Sequence, residues 1–325
     1  MKGIRAASPG SPVTVACVGV YILDVLGRPI SSLPVGQTSQ LIDEIRISAA
    51  GTAGGTSVDL ARLGAKVIAM GAVGQDEIGE MLVSLLDKNG VDTRYLVRKP
   101  EAQTSATILP IHPDGTRPAW HVIGANGHFG IEDVNWEAIA GCEFVHLGGI
   151  SAMPRFDGDA SVEVLRFAKR RGALTTADCL GVKREDTLDL LRRYLPLVDV
   201  FMPNAQEAAR VTGLDSPEAA ADVFLQLGAG CVIVKLGERG CLIAHGATRT
   251  YQPAFDVPVV DSTGCGDAFC AGVIIGLSRG WSIDQAAQFG TAAAALTIQG
   301  LGSDAGLQSF EHTQAFAASA RRKSC

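Results

Sequence analysis

The sequence predicts an α/β fold: a three-layer α/β/α body built on a mostly parallel sheet, with a small β-sheet lid. Two observations carry this reading. Apolar runs of strand length alternate with helix-length segments over most of the 325 residues, and repeated strand–helix units imply parallel strands covered by helices on both faces. Two other stretches alternate apolar and polar side chains, as half-exposed strands do.

The first strand spans residues 13–20, nearly all apolar and so expected to be buried on both faces. Asp24 follows its C-terminal end. Over residues 37–48, Ile45 and Ile47 fall on one face and Glu44 and Arg46 on the other. A second such region covers residues 104–123, broken by Pro113-Asp114-Gly115. These pieces, about residues 25–50 and 100–125, would form the lid, inserted in the body of a single domain spanning 1–325. Between them, Gly51-Thr52-Ala53-Gly54-Gly55 leads into a helix at 56–63 that ends on Gly64 in a C-cap position.

The body continues as strand and helix pairs at 67–73 and 77–89, 144–149 and 159–171, 174–178 and 184–195, and 199–203 and 205–212. A helix at 217–227 and strands at 231–236 and 241–244 follow, then a glycine-rich segment with two closing helices. Ligands of such sheets bind beyond the carboxyl ends of the strands. Asp24, Asp178, Asn204 and Gly237 all fall there.

Composition narrows the function classes. The chain is 47% apolar and 19% charged with 38 glycines, which suits a compact body and argues against disorder. Net charge is −6 and no basic block exceeds the length of Arg321-Arg322-Lys323, so nucleic acid is not an expected partner. The apolar run of ten residues at 268–277 is too short for a membrane span. Residues 1–12 lack the apolar core of a signal peptide and read as a loose leader. Eight cysteines show no CxxC pair and no zinc spacing. Reduced thiols in a cytoplasmic protein are the expectation.

The chemistry is concentrated in Asp261-Ser262-Thr263-Gly264-Cys265-Gly266-Asp267, directly before the apolar run. Two glycines flanking a small residue let backbone approach a ligand closely and turn sharply. A helix opening there points unpaired N–H groups outward, a site for phosphate. Asp267 would then stand beside the bound anion, an awkward place for a carboxylate unless it handles a proton. Anion donors and a base together are what phosphoryl transfer requires. A plain helix cap with an acidic first turn would use the same residues. No Walker-type loop and no GxGxxG after a strand occurs. The six histidines show no close metal spacing.

The string resembles the DTxGAGD signature of the ribokinase (PfkB-type) carbohydrate kinases, with Ser262 for Thr and Cys265 for Ala. The order of segments resembles that family from about residue 13 to 307. The resemblance implies a ribokinase-like fold and an ATP-dependent kinase. Asp267 would be the base, and Gly264, Cys265 and Gly266 the anion hole. The family's sugar-site pattern is a Gly pair with an Asn four residues after the second Gly. Here Ala50-Gly51 stands at the pair and Gly55 at the Asn, so the usual amide ligand is missing and a larger acceptor is expected to fit. Asp24 resembles the family's hydroxyl-binding Asp.

Asn204-Ala205-Gln206-Glu207 matches NxxE, implying Asn204 at a phosphate and Glu207 at hydrated Mg²⁺. As a capping box the same pair would close a helix. Lys235, Gly237, Thr263 and Thr291 are the further residues expected on the ATP side. Asp261, Thr263, Gly300 and Asp304 correspond to a monovalent-cation (K⁺) loop, with Asp304 in place of Ser. A carboxylate at a helix N-terminus is expected to titrate low, a weak base that a loose transition state tolerates. The acceptor would be a hydroxyl of a sugar or of a nucleoside, with Ile108, Pro110, Trp120 and Val122 as surface for a base. A non-catalytic binding protein is the alternative of another class. Relatives commonly dimerise through the lid, so a homodimer is expected.

Overall fold

The computed structural model describes residues 12–181 and 184–323. The leader expected at 1–12 lies outside them except for residue 12, as does Cys325. In chain order the elements are β1 (Thr14–Gly19), β2 (Ile22–Arg28), β3 (Glu44–Ala50), α1 (Thr52–Arg62), β4 (Lys66–Gly74), α2 (Glu77–Lys88), β5 (Val91–Lys99), β6 (Ala106–Pro110), β7 (Trp120–Val122) and α3 (Trp136–Ala140). Then come β8 (Phe144–Ile150), α4 (Asp159–Arg170), β9 (Leu174–Cys179), α5 (Thr187–Tyr194), β10 (Val200–Phe201), α6 (Ala205–Thr212) and α7 (Pro217–Gln226). The chain closes with β11 (Cys231–Lys235), β12 (Cys241–His245), β13 (Thr248–Gln252), α8 (Cys265–Ser278), α9 (Ile283–Thr297) and α10 (Phe310–Ser319).

The large sheet has the order β13-β12-β11-β10-β9-β8-β1-β4-β5. It is parallel from β11 to β5, and β12 and β13 add antiparallel at one edge. Successive residues of β1 enter opposite cores. Val15 and Cys17 pack with α1, α2, α8 and α9, whereas Ala16 and Val18 pack with α4 to α7. This is why the strand is apolar at every position: side chains alternate between faces, and both faces are covered.

The small sheet has the order β3-β2-β6-β7. Register divides its side chains cleanly. Asp24 pairs with Ser48 and Thr107, and Thr107 with His121, on the face toward the body. Val25 pairs with Ile47 and Ile108, and Ile108 with Trp120, on the outer face, where Ile45, Ile47, Ile108, Trp120 and Val122 are exposed.

Several expectations move. Asp24 lies within β2 rather than just beyond the first strand, because the chain re-enters a strand three residues after Gly19. The half-exposed strand begins at Glu44 and not at residue 37, since Gln37 to Gln40 offer no apolar face. β5 and β13 were not foreseen. Both are edge strands with half-buried, mixed side chains and lack the continuous apolar run of a central strand. The first helix starts at Thr52 instead of Thr56, so Gly54 and Gly55 are helical. Their low helix propensity is overridden by the close contacts that bare α-carbons allow.

Candidate active site

The C-terminal ends of β1, β8, β9, β10 and β11 meet the inner face of the small sheet around a cavity of about 870 Å³. Its floor is the start of α8. Gly264 is the N-cap, with φ 77°, and no side chain caps this end. A Cβ on Gly264 would lie 2.5 Å from Ser303 O and 2.6 Å from Ser303 Cβ, so only glycine fits. Gly266 has no such φ, and its Cα faces Lys235. The residue that demands glycine in this turn is therefore Gly264. Cys265, Gly266 and Asp267 occupy the first helical positions; the Asp267 N–H donates to Gly264 O at 3.0 Å, leaving those of Cys265 and Gly266 without a helical partner.

The cavity gathers most of the residues singled out by sequence. Asp24, Gly51, Thr263, Gly264, Cys265, Gly266 and Asp267 line it, with Asn204, Glu207, Lys235, Gly237 and Thr291. Thr291 spends its hydroxyl on Ala287 O at 2.9 Å. Asn204 and Glu207 form the reciprocal capping box, Asn204 Oδ1 accepting from Glu207 N at 2.8 Å and Glu207 Oε2 from Asn204 N at 2.9 Å. Glu207 Oε1 accepts from Gly181 N at 3.3 Å. The cap exists, and the same carboxylate still faces the cavity.

Asp261 lies beneath the turn, fully buried. Its Oδ1 accepts from Thr263 N (2.9 Å) and Thr263 Oγ1 (2.7 Å), and Oδ2 from Gly302 N (2.9 Å). Gly300 and Asp304 lie outside the cavity lining. The Asp304 carboxylate is bridged by Arg46 at 2.8 Å and Arg62 at 3.1 Å.

Gly55 does not line the cavity. A Cβ there would overlap Asp267 Oδ2 and lie 3.0 Å from Asp267 Cγ. The space left by the missing amide is thus occupied by the Asp267 carboxyl and is not open to a larger acceptor. Ile108, Pro110, Trp120 and Val122 do not line the cavity either. The strand alternation that places Thr107 and His121 inward turns Ile108, Trp120 and Val122 away.

Charge is concentrated here. Burial, together with the neighbouring Asp178, pushes Asp267 well above the ordinary carboxylate range, despite Lys235 nearby. The low titration expected from the helix N-terminus is outweighed by desolvation. Burial likewise raises Asp24 to about 6, opposed by a Thr107 hydrogen bond and Arg117. It raises Asp178 to about 7, opposed by Lys235.

Sequence reasoning missed three of the polar groups. Arg117, in the loop between β6 and β7, lines the cavity with Nε 3.9 Å from Asp261 Oδ1. Asp178 was noted only for its position at a strand end. Asp59, one helical turn beyond Gly55, is fully buried, and neither carboxyl oxygen has a hydrogen-bond partner among the described residues. Burial and Asp267 push it well above its ordinary value. An Asp on the buried face of a glycine-rich helix was the one available signal.

A large, mostly parallel sheet with a small mixed second sheet at its carboxyl edge is the fold of the ribokinase-type sugar kinases. The chain belongs to the pfkB family of carbohydrate kinases, whose model matches residues 14–309. It is 26% identical to the ATP-dependent 6-phosphofructokinase of Thermoanaerobacterium thermosaccharolyticum over 78% of this chain and 79% of that one. It is 27% identical to the 2-dehydro-3-deoxygluconokinase of Bacillus subtilis over 84% and 87%. The structure of Arabidopsis thaliana ribokinase complexed with ribose and ATP superimposes with a TM-score of 0.76 at 24% identity, covering 94% of this chain and 99% of that one.

The Gly55 contact yields a direct test. Gly55→Ala should displace Asp267 and lower kcat at least about tenfold, with the KM for ATP and the melting temperature nearly unchanged. A 1 Å displacement of a reacting group can cost about 10²-fold. Unchanged kcat in that variant would separate Gly55 from the placement of Asp267.

Proposed function

We propose that this chain transfers the γ-phosphoryl group of ATP to a hydroxyl of a sugar, with Asp267 as the base. One observation carries the proposal: the acid in the first turn of α8 lies beside an uncapped helix start and opens into a cavity with two unlike ends. One end is an apolar slot with Phe255, Val257, Ala294, Ala295 and Ile298, suited to a flat base. The other holds Asp24, whose carboxylate suits a vicinal diol. A nucleoside acceptor loses both its arguments, since Gly55 opens no space and the four lid residues face elsewhere.

Asp267 would take the proton of the acceptor hydroxyl as its oxygen bonds to the γ-phosphorus. The bond from that phosphorus to the β,γ-bridging oxygen breaks, and ADP leaves. The N–H groups of Gly264, Cys265 and Gly266 would hold the charge on the transferring group. Asn204, Lys235, Gly237, Thr263 and Thr291 belong to the nucleotide side. Among the described residues no three carboxylate, histidine or cysteine ligands converge on one point. Glu207 fits Mg²⁺ as a single carboxylate holding a hydrated ion that also binds phosphate. Mg²⁺ would neutralise phosphate charge. Asp261, Thr263, Gly300 and Asp304 remain the candidate K⁺ loop, with the Asp304 carboxylate already committed to two arginines.

A base acts only when ionised. With Asp267 raised by burial, kcat should fall with decreasing pH at values above the ordinary carboxylate range. Acceptor affinity should weaken as pH falls through about 6, where Asp24 takes up its proton. Asp267→Asn should lower kcat by about 10²–10⁴-fold and leave ATP affinity intact. Near wild-type turnover would remove Asp267 from the role.

The acceptor is tested by calorimetric titration with ribose, fructose, a 2-keto-3-deoxy sugar acid, a hexose phosphate and a nucleoside panel, with ADP formation measured alongside. We expect binding and turnover with at least one sugar. Response to nucleosides alone would move the assignment to a nucleoside kinase. Binding without ADP formation would favour a non-catalytic member.

Self-association belongs to the same reading. The outer face of the small sheet exposes Ile45, Ile47, Ile108, Trp120 and Val122, a contiguous apolar patch of the kind that marks interfaces. A homodimer through this face is expected in sedimentation at micromolar concentration, and Ile108→Asp should shift it to monomer. A wild-type monomer would refute it. The seven unpaired cysteines among the described residues support a reducing, cytoplasmic setting. No described helix is long and apolar enough to cross a membrane.

A further inference from the structure

Lys235 ends β11 with its ammonium in an unusual setting. The side chain is only 14% exposed, yet Nζ makes no hydrogen bond to an oxygen among the described residues. Its nearest carboxylate oxygen is Asp178 Oδ2 at 3.8 Å, and its nearest other acceptor is Cys270 Sγ, also at 3.8 Å. Asp178, Glu207, Asp267 and the Cys270 thiol are the titratable groups that face it. Three N–H donors on a buried ammonium call for acceptors, and among the described residues only the weak acceptor Cys270 Sγ is supplied.

The same Nζ lies 3.2 Å from the position a Cβ would take on Gly266. It therefore stands over the first turn of α8, where Gly264 provides no side-chain cap. A helix N-terminus and an ammonium converging on one spot favour the same ligand, a phosphate group. Asp267 belongs to that turn, close enough for its charge to act on Lys235. A phosphate held between them is the one whose phosphorus the acceptor attacks, which is the terminal phosphate of the nucleotide and not the inner two.

We propose that Lys235 is a catalytic cation that bonds the transferring γ-phosphoryl oxygens, with Asp178 holding it loosely when nucleotide is absent. The inference rests on the nucleotide-binding part of the kinase reading. Its contribution would grow during transfer, as charge moves onto the bridging oxygen and the departing ADP. The bland alternative is a structural ion pair between the ends of β9 and β11, on either side of β10, which would make no distinction among nucleotides.

The test compares ADP with a non-hydrolysable ATP analogue, each titrated calorimetrically against wild type, Lys235→Met and Lys235→Gln. We expect ADP affinity to change less than about threefold, analogue affinity to fall about tenfold or more, and kcat to drop about 10²–10³-fold, the range for removing one donor to a charged transition state. Acceptor KM should stay unchanged. Equal losses for ADP and the analogue would overturn the assignment to the terminal phosphate, and no loss for either would leave Lys235 a structural residue. The Gln variant keeps a polar head, and its thermal unfolding guards against loss of fold in the Met variant. The binding arms need no turnover: a selective loss for the analogue would uphold Lys235 even if no acceptor were phosphorylated, an outcome that would sink the kinase reading alone.

Discussion

The approach of the Asp267 carboxyl to the bare α-carbon of Gly55 is the contact on which the site depends. It joins α1 to α8. Any side chain at position 55 would separate the two or rotate the acid. Nearby, Gly264 packs onto Ser303, and Ser303 Oγ donates to Ala49 O at 2.6 Å. The start of α8, the start of α1 and the end of β3 are therefore fixed relative to one another through short side chains set against backbone atoms. A site built this way is precise because few of its contacts rely on long, mobile side chains.

Electrostatics follow from that packing. Asp24, Asp59, Asp178 and Asp267 are drawn together where water is scarce, and desolvation is the leading cause of the upward shift at each. Lys235 and Arg117 are the cations that oppose it at three of them: Arg117 at Asp24, Lys235 at Asp178 and both at Asp267. Carboxyls in such a place tend to keep their protons until a cation arrives. A cation entering the cavity would alter this balance, so the ionisation of Asp267 depends on what occupies the space beside it.

The sequence made the body legible because its central strands are buried on both faces and leave continuous apolar runs. The glycine-rich turn before α8 was legible because its glycines and acid are adjacent in the chain. What escaped depends on distant segments. β5 and β13 are edge strands whose mixed side chains resemble loop. Gly55 looked like an absent ligand, and only the position of Asp267 gives its purpose. Arg117 and Asp59 carry no local pattern that separates them from a surface Arg or a helix Asp. The inward or outward aim of the small-sheet residues needed the register of Val25 with Ile47 and Ile108.

Asp304 shows how one substitution reorganises its surroundings. Where the family resemblance implied a Ser, this carboxylate lies between Arg46 of β3 and Arg62 of α1. The Arg62 Nε also donates to Asn89 Oδ1 at 2.9 Å, and Nη1 to Leu307 O at 3.2 Å. Arg62 is thereby committed; Asp59, three residues earlier on the same helix, has no side-chain hydrogen bond among the described residues and feels Arg62 only as a nearby charge. The bridge also ties the small sheet to the body by charge. The side chain of Arg46 remains 35% exposed, and a pair open to water to that degree is worth only about 0–1 kcal/mol. Such a tether holds β3 only loosely, and the buried hydrogen bond from Ser303 Oγ to Ala49 O, at the end of β3 nearest the start of α8, is the firmer of the two links.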